Sequence, residues 1–138
     1  MKVFLDANIL FSAANPESPL RILLEDITRR GQVVTSAFAQ EEARRNLEIK
    51  RPRWLLLLDS LISDFEVGVV PDRALGLSES DLPELETKDL PILTAAVNVR
   101  CTHLLMGDRR HFGSLFDRSV AGLKVVSPIL LAKELENA

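Results

Sequence analysis

The stretch KVFLDANIL, Lys2 to Leu10, decides the fold. Val3, Phe4 and Leu5 form a continuous apolar run, as expected of a strand buried on both faces, and the run stops at Asp6 beside the small Ala7. The same grammar returns in HLLMGDRRHF, His103 to Phe112, where an apolar strand ends in Gly107 and Asp108. An aspartate placed where a strand hands over to a helix stands at the edge where parallel sheets bind ligands.

Between these two phrases the chain alternates strand and helix. Lys2–Leu5 reads as the first strand, and Leu20–Arg30 as a helix after a loop containing Asn15-Pro16 and Ser18-Pro19. Val33–Thr35 is a second strand, and Ser36 caps a helix from Ala37 to Lys50 that ends at Arg51-Pro52. A leucine-rich helix from Arg53 to Ser63, a strand from Phe65 to Val70 and a polar, acidic loop with Gly76 and Pro83 follow. A helix from Leu90 to Arg100, a strand from His103 to Met106, a short helical piece near His111 to Phe116, a strand from Leu123 to Val126 and a helix opened by Pro128 complete the chain. The expectation is one α/β domain over residues 1–138, Rossmann-like, with a parallel sheet of about five strands and helices on both faces.

Composition narrows the function. A chain of 138 residues, 46% hydrophobic, supports one core and is too apolar for disorder. No apolar stretch approaches the roughly 20 residues that span a bilayer, and MKVFLDAN lacks a signal peptide's apolar centre, so a cytoplasmic protein with no membrane partner is expected. One cysteine, Cys101, and two histidines leave no disulfide and no zinc site. A net charge of −3 excludes a general nucleic-acid coat but allows local patches, at Arg44, Arg45, Lys50, Arg51 and Arg53, and at Arg109, Arg110 and Arg118.

Two further carboxylates join the aspartates. On a helical wheel Phe38, Ala39, Ala43, Leu47 and Ile49 form an apolar arc that contains Glu42 and Asn46 and excludes Glu41 and Glu48. A carboxylate on the packed side of a helix is costly unless paired, hydrogen-bonded or metal-bound, which singles out Glu42. Asp89 precedes Leu90-Pro91 and reads as a helix cap that is also free to ligate. Asp6, Glu42, Asp89 and Asp108 brought together would repel one another unless a cation sat among them, and all-oxygen ligation suits Mg²⁺ or Mn²⁺. Such an ion supports hydrolysis of a phosphodiester without a protein nucleophile.

These phrases, VFLDANIL, TSAFAQEEARRNL, KDLPILTAAV and LLMGDRRHF, resemble the PIN domain family of metal-dependent nucleases, which includes many prokaryotic toxin–antitoxin ribonucleases. The resemblance runs nearly end to end in order and spacing. It implies that Asp6, Glu42, Asp89 and Asp108 are catalytic metal ligands, directly or through water, that Asn8 steadies the first aspartate, and that RNA is cut to a 5′-phosphate and a 3′-hydroxyl. Arg44, Arg45, Arg109 and Arg110 are the candidate phosphate contacts. An antitoxin protein and a second copy of the chain are the candidate partners.

Three positions depart from the family pattern: Met106 where a threonine is common, Arg110 where many members are acidic, and Lys88 before Asp89 where an acidic pair is usual. They support the alternative of a degenerate PIN domain that binds RNA or protein without cutting. Leu56, which falls outside the apolar face formed by Trp54, Leu55, Leu57, Leu58, Leu61 and Ile62, adds to it as a docking point. A phosphatase of the haloacid-dehalogenase type ranks lower, because Asn8 and Phe112 stand where that family needs acidic residues.

Overall fold

The computed structural model describes residues 1–71, 90–107, 119–120 and 122–137. Strands β1 (Lys2–Leu5), β2 (Gln32–Ser36), β3 (Gly68–Val70), β4 (His103–Leu105), β5 (Ser119–Val120) and β6 (Leu123–Val126) form one sheet in the order β3-β2-β1-β4-β6-β5. The first five in that order are parallel, and β5 is a two-residue antiparallel edge that sequence reading did not anticipate. The helices are α1 (Ala7–Ala14), α2 (Leu20–Arg30), α3 (Ala37–Lys50), α4 (Leu55–Asp64), α5 (Leu90–Asn98) and α6 (Pro128–Glu136). Val3, Phe4 and Leu5 are all buried, as are His103, Leu104 and Leu105, so both faces of β1 and β4 are covered.

Chain order and sheet order together locate a crevice. From β1 the chain steps outward to β2 and β3, then crosses back to lay β4 on the other side of β1. The switch point is therefore between the carboxyl ends of β1 and β4, where open α/β sheets bind ligands. Leu5 pairs with Leu105 and Leu105 with Val126, and the pairing of Phe4 with Val34 puts Leu5 level with Thr35, so one residue further on Asp6, Ser36, Met106 and Ser127 form one row across the sheet. Three of these four cap helices. Asp6 Oδ1 accepts from Ile9 N at 2.8 Å, Ser36 Oγ from Ala39 N at 3.1 Å and Ser127 Oγ from Leu130 N at 3.2 Å.

Several boundaries move from their sequence positions. The eight residues after Asp6, assigned to no element from sequence, form α1, a short helix with Ala7, Ile9, Leu10, Ala13 and Ala14 buried. Its end is held by Arg21, whose Nε donates to Ala13 O and Asn15 O at 3.0 and 3.1 Å. The leucine-rich helix begins two residues late, because Pro52 opens a 3-10 turn over Pro52–Trp54. The third strand shrinks to Gly68–Val70, since Phe65 still caps α4 and Glu66 takes the left-handed φ of 50°. The helix expected to reach Arg100 stops at Asn98, and Arg100 again has a left-handed φ, 57°. Ile49 leaves the apolar arc and is 80% exposed, because the last turn of α3 runs past the core.

At the amino edge of the sheet, α6 is tied down through Glu134. His103 Nε2 lies 2.8 Å from Glu134 Oε2, and Lys124 Nζ 3.8 Å from Glu134 Oε1. Cys101, just before β4, is buried, and that burial pushes its thiol up to about 11 against a weaker pull from Lys2. An unfolded thiol ionises near pH ~8.5, so between these values the unfolded chain loses its proton first and stability falls as pH rises. At pH 8 native Cys101 is expected to resist a small alkylating reagent that labels it rapidly in denaturant; rapid native labelling would contradict its burial.

Candidate active site at the carboxyl edge of the sheet

Asp6 is the ionisable member of the row of strand-end residues described above, and it is 3% exposed. Its backbone is fixed on both sides: Asp6 N donates to Leu105 O at 3.2 Å, and its carbonyl accepts from Leu10 N at 3.1 Å. The preceding carbonyl, Leu5 O, accepts from the buried Thr35 Oγ1 at 2.8 Å. A hydroxyl at the end of β2 thus steadies the peptide that carries the aspartate, a role sequence reading missed because the two residues are thirty positions apart. Thr35→Val, which removes this donor and keeps the shape, is expected to cost about 1–2 kcal/mol in urea unfolding. A cost near zero would mean the bond does not hold the edge.

The residue after β4 comes to the same place. A Cβ built on Gly107 would lie 3.5 Å from Asn8 Cβ and 3.8 Å from Ile9 Cδ1, so Gly107 touches the first turn of α1. Asn8 is exposed there, two residues beyond Asp6. Asp108, bonded to Gly107, lies outside the described residues, as do Asp89, Lys88, Arg109, Arg110, Arg118, the acidic loop and the helical piece expected near His111. Leu90, bonded to Asp89, opens α5, which packs on α3, β2 and β4. Met106 is fully buried, so the departure from threonine there alters the core beneath the site and not its surface.

Glu42 sits on the flank of the buried stripe Ala39, Ala43 and Leu47, half-buried with Phe38 and Asn46, whereas Glu41 is exposed. The helix that bears Glu42 packs along α1, which Asp6 caps, and against α5. Arg44 falls on the opposite flank and is ion-paired with Asp59 of α4, and Arg45 Nε lies 3.6 Å from Glu41 Oε1. Both arginines are thus engaged by carboxylates, and Arg44 joins α3 to α4. A double-mutant cycle on Arg44→Ala and Asp59→Ala is expected to give a coupling below about 1 kcal/mol, since the pair is open to solvent. A larger coupling would make the pair a structural clamp.

The donors so placed are carboxylate oxygens. Among the described residues no group of three or more His, Cys, Asp or Glu could hold a metal ion, so Asp6 and Glu42 form at most part of a ligand set. Also among the described residues, no helix is long and apolar enough to cross a membrane.

No family model and no curated protein matches this sequence. Solved structures do match its fold. VapBC2 from Rickettsia felis, bound to a DNA fragment from its promoter, superposes with a TM-score of 0.71 at 17% identity, covering 92% of this chain and 98% of that one. VapC20 of Mycobacterium tuberculosis, a toxin that cleaves the sarcin–ricin loop, superposes with a TM-score of 0.56 at 10% identity, covering 81% and 94%. At these identities the likeness is one of fold.

Proposed function

We propose, from the premise that this chain is a PIN-like α/β domain, that it is a metal-dependent endoribonuclease acting at the carboxyl edge of its sheet. The observation that carries the reading is Asp6, a buried carboxylate at the switch point between β1 and β4, with Gly107 against the first turn of the helix it caps. Nearly complete burial of a carboxylate is expensive unless it is paired, hydrogen-bonded or metal-bound, and an all-oxygen donor set fits a hard cation. Asp6 and Glu42 would hold Mg²⁺ or Mn²⁺ together with Asp89 and Asp108. When bound, such an ion acidifies a water and offsets charge on the phosphate.

The chain's own residues would do the rest. The α1 cap fixes the Asp6 carboxylate and the Thr35 bond the peptide that carries it, so little reorganisation is needed when substrate arrives. Burial of Asp6 keeps bulk water from screening it, and the exposed Asn8 borders the entrance. Arg44 would reach a phosphate only by leaving Asp59, and Arg45 by leaving Glu41. An antitoxin partner is supported by the fold shared with the toxin of a VapBC complex. Leu56 and Ile49, 79% and 80% exposed, are apolar points that such a partner or a second copy would cover.

A panel of structured RNAs incubated with the protein in Mn²⁺, in Mg²⁺ and in EDTA tests the reading. Cleavage in the metals alone, lost in Glu42→Gln, is expected. Cleavage that survives in EDTA, or in that variant, would remove the carboxylate mechanism. A folded protein that binds RNA and cuts none of it would favour the degenerate binding module.

A further inference from the structure

Three neighbouring cations at the end of α3 and in the 3-10 turn after it differ from the paired arginines of α2 and α3. Arg29, Arg30, Arg44 and Arg45 each lie against a carboxylate, Glu25, Asp26, Asp59 and Glu41 respectively. Lys50, Arg51 and Arg53 are exposed and have no carboxylate partner among the described residues. Two of them are held on aromatic rings instead. Lys50 Nζ stands 5.8 Å from the centre of the Phe11 ring and Arg51 Cζ 5.7 Å from that of Trp54, and the two rings lie 6.4 Å apart at 58°. Arg51 Nη1 also donates to Lys50 O at 2.8 Å.

We propose that Lys50 and Arg51, posed on Phe11 and Trp54, bind with the neighbouring Arg53 the phosphates of an unpaired RNA strand on its way to the carboxylate edge. Three like charges within four residues repel one another, and a polyanion relieves that repulsion at each of them. The Arg51 guanidinium has five donors and spends one on Lys50 O, and its place over the indole limits the freedom it would lose on meeting a phosphate. The half-buried indole beside it adds a surface on which an unstacked base can lie, which a duplex does not offer. A protein partner would have to supply several carboxylates at matching positions.

The patch is within reach of the site. Phe11 follows Asp6 by five residues, a rise of about 7.5 Å along α1, and Lys50 follows Glu42 by eight, about 12 Å along α3. At about 3.4 Å of rise per nucleotide in a stacked strand, a few nucleotides cover the gap. Only the strand's destination rests on the proposed ribonuclease activity; the binding itself does not.

Trp54 is the chain's single tryptophan, so its emission reports on the patch. The experiment titrates the protein with a short oligouridylate in EDTA, where metal-dependent cutting cannot occur, and follows Trp54 fluorescence together with anisotropy of labelled RNA. The expected result is a saturable change in emission. The triple variant Lys50→Glu, Arg51→Glu, Arg53→Glu, all exposed positions, is expected to keep its circular dichroism and to bind at least about tenfold more weakly, with a salt slope smaller by about 2. Trp54→Phe, which keeps a ring, should bind nearly as wild type by anisotropy. A duplex of equal length should bind less tightly and leave the emission unchanged.

Equal binding by the triple variant, or no binding by folded wild-type protein, overturns the proposal; the second is what a protein-binding surface would give. A duplex that binds as tightly and changes the emission alike overturns the unpaired strand. Cleavage in Mn²⁺ with an unchanged KM in the triple variant removes the patch and leaves the nuclease. Binding that is lost in the triple variant, from a protein that never cuts, leaves the patch and removes the nuclease.

Discussion

Asp6→Asn is expected to lower metal-dependent RNA cleavage by more than about 100-fold, beyond what loss of a residue merely supporting a metal ligand costs. The substitution is informative because it separates two roles that Asp6 fills at once. As an N-cap, Asp6 accepts from Ile9 N at 2.8 Å, and asparagine caps helices about as well as aspartate. As a buried carboxylate it brings a charge that asparagine lacks. In metal-free buffer the variant should therefore unfold at an equal or higher urea concentration than wild type, since it removes charge from the site. Asp6→Ala, which loses the cap as well, should be less stable than Asp6→Asn by about 0.5–2 kcal/mol. If Asp6→Asn were strongly destabilised without metal while still cutting RNA, Asp6 would be a structural turn residue and the site would lie elsewhere.

Phe4→Ala is expected to destabilise the fold by about 3–5 kcal/mol and to lower Tm by more than about 10 °C. Phe4 is fully buried at the centre of β1, in register with Val34 on one side and Leu104 on the other. It also shares a face of the strand with Asp6, two residues on, so a cavity there undermines the edge that carries the site. The exposed Leu56 provides the control, and Leu56→Ala should shift stability by less than about 0.5 kcal/mol. Thermal melts of the two variants side by side decide the matter: comparable losses would mean that the core is not centred on β1.

Much of this was legible in the sequence, for stated reasons. The apolar run before Asp6, the serine before the third helix and the proline after it are local signals, and local signals fix β1, β2 and α3 well. Helical phase separated the half-buried Glu42 from the exposed Glu41. Helix α1 was missed because it is a single short, mostly buried element whose polar positions, Asn8 and Ser12, are too few to print a period. The ion pair of Arg44 with Asp59 joins residues fifteen positions apart on two helices, and nothing in either segment announces the other. The roles of Asp89 and Asp108 rest on sequence and resemblance, because both lie outside the described residues.

The row Asp6, Ser36 and Ser127 has an electrostatic consequence. Each caps a helix, so α1, α3 and α6 all begin at one edge of the sheet, and each contributes the positive end of a macrodipole, worth roughly half a unit charge. The backbone itself thereby lends this edge a positive bias that no count of lysines and glutamates records. A chain with a formal charge of −3 can in this way present to an incoming anion a boundary less negative than its composition suggests.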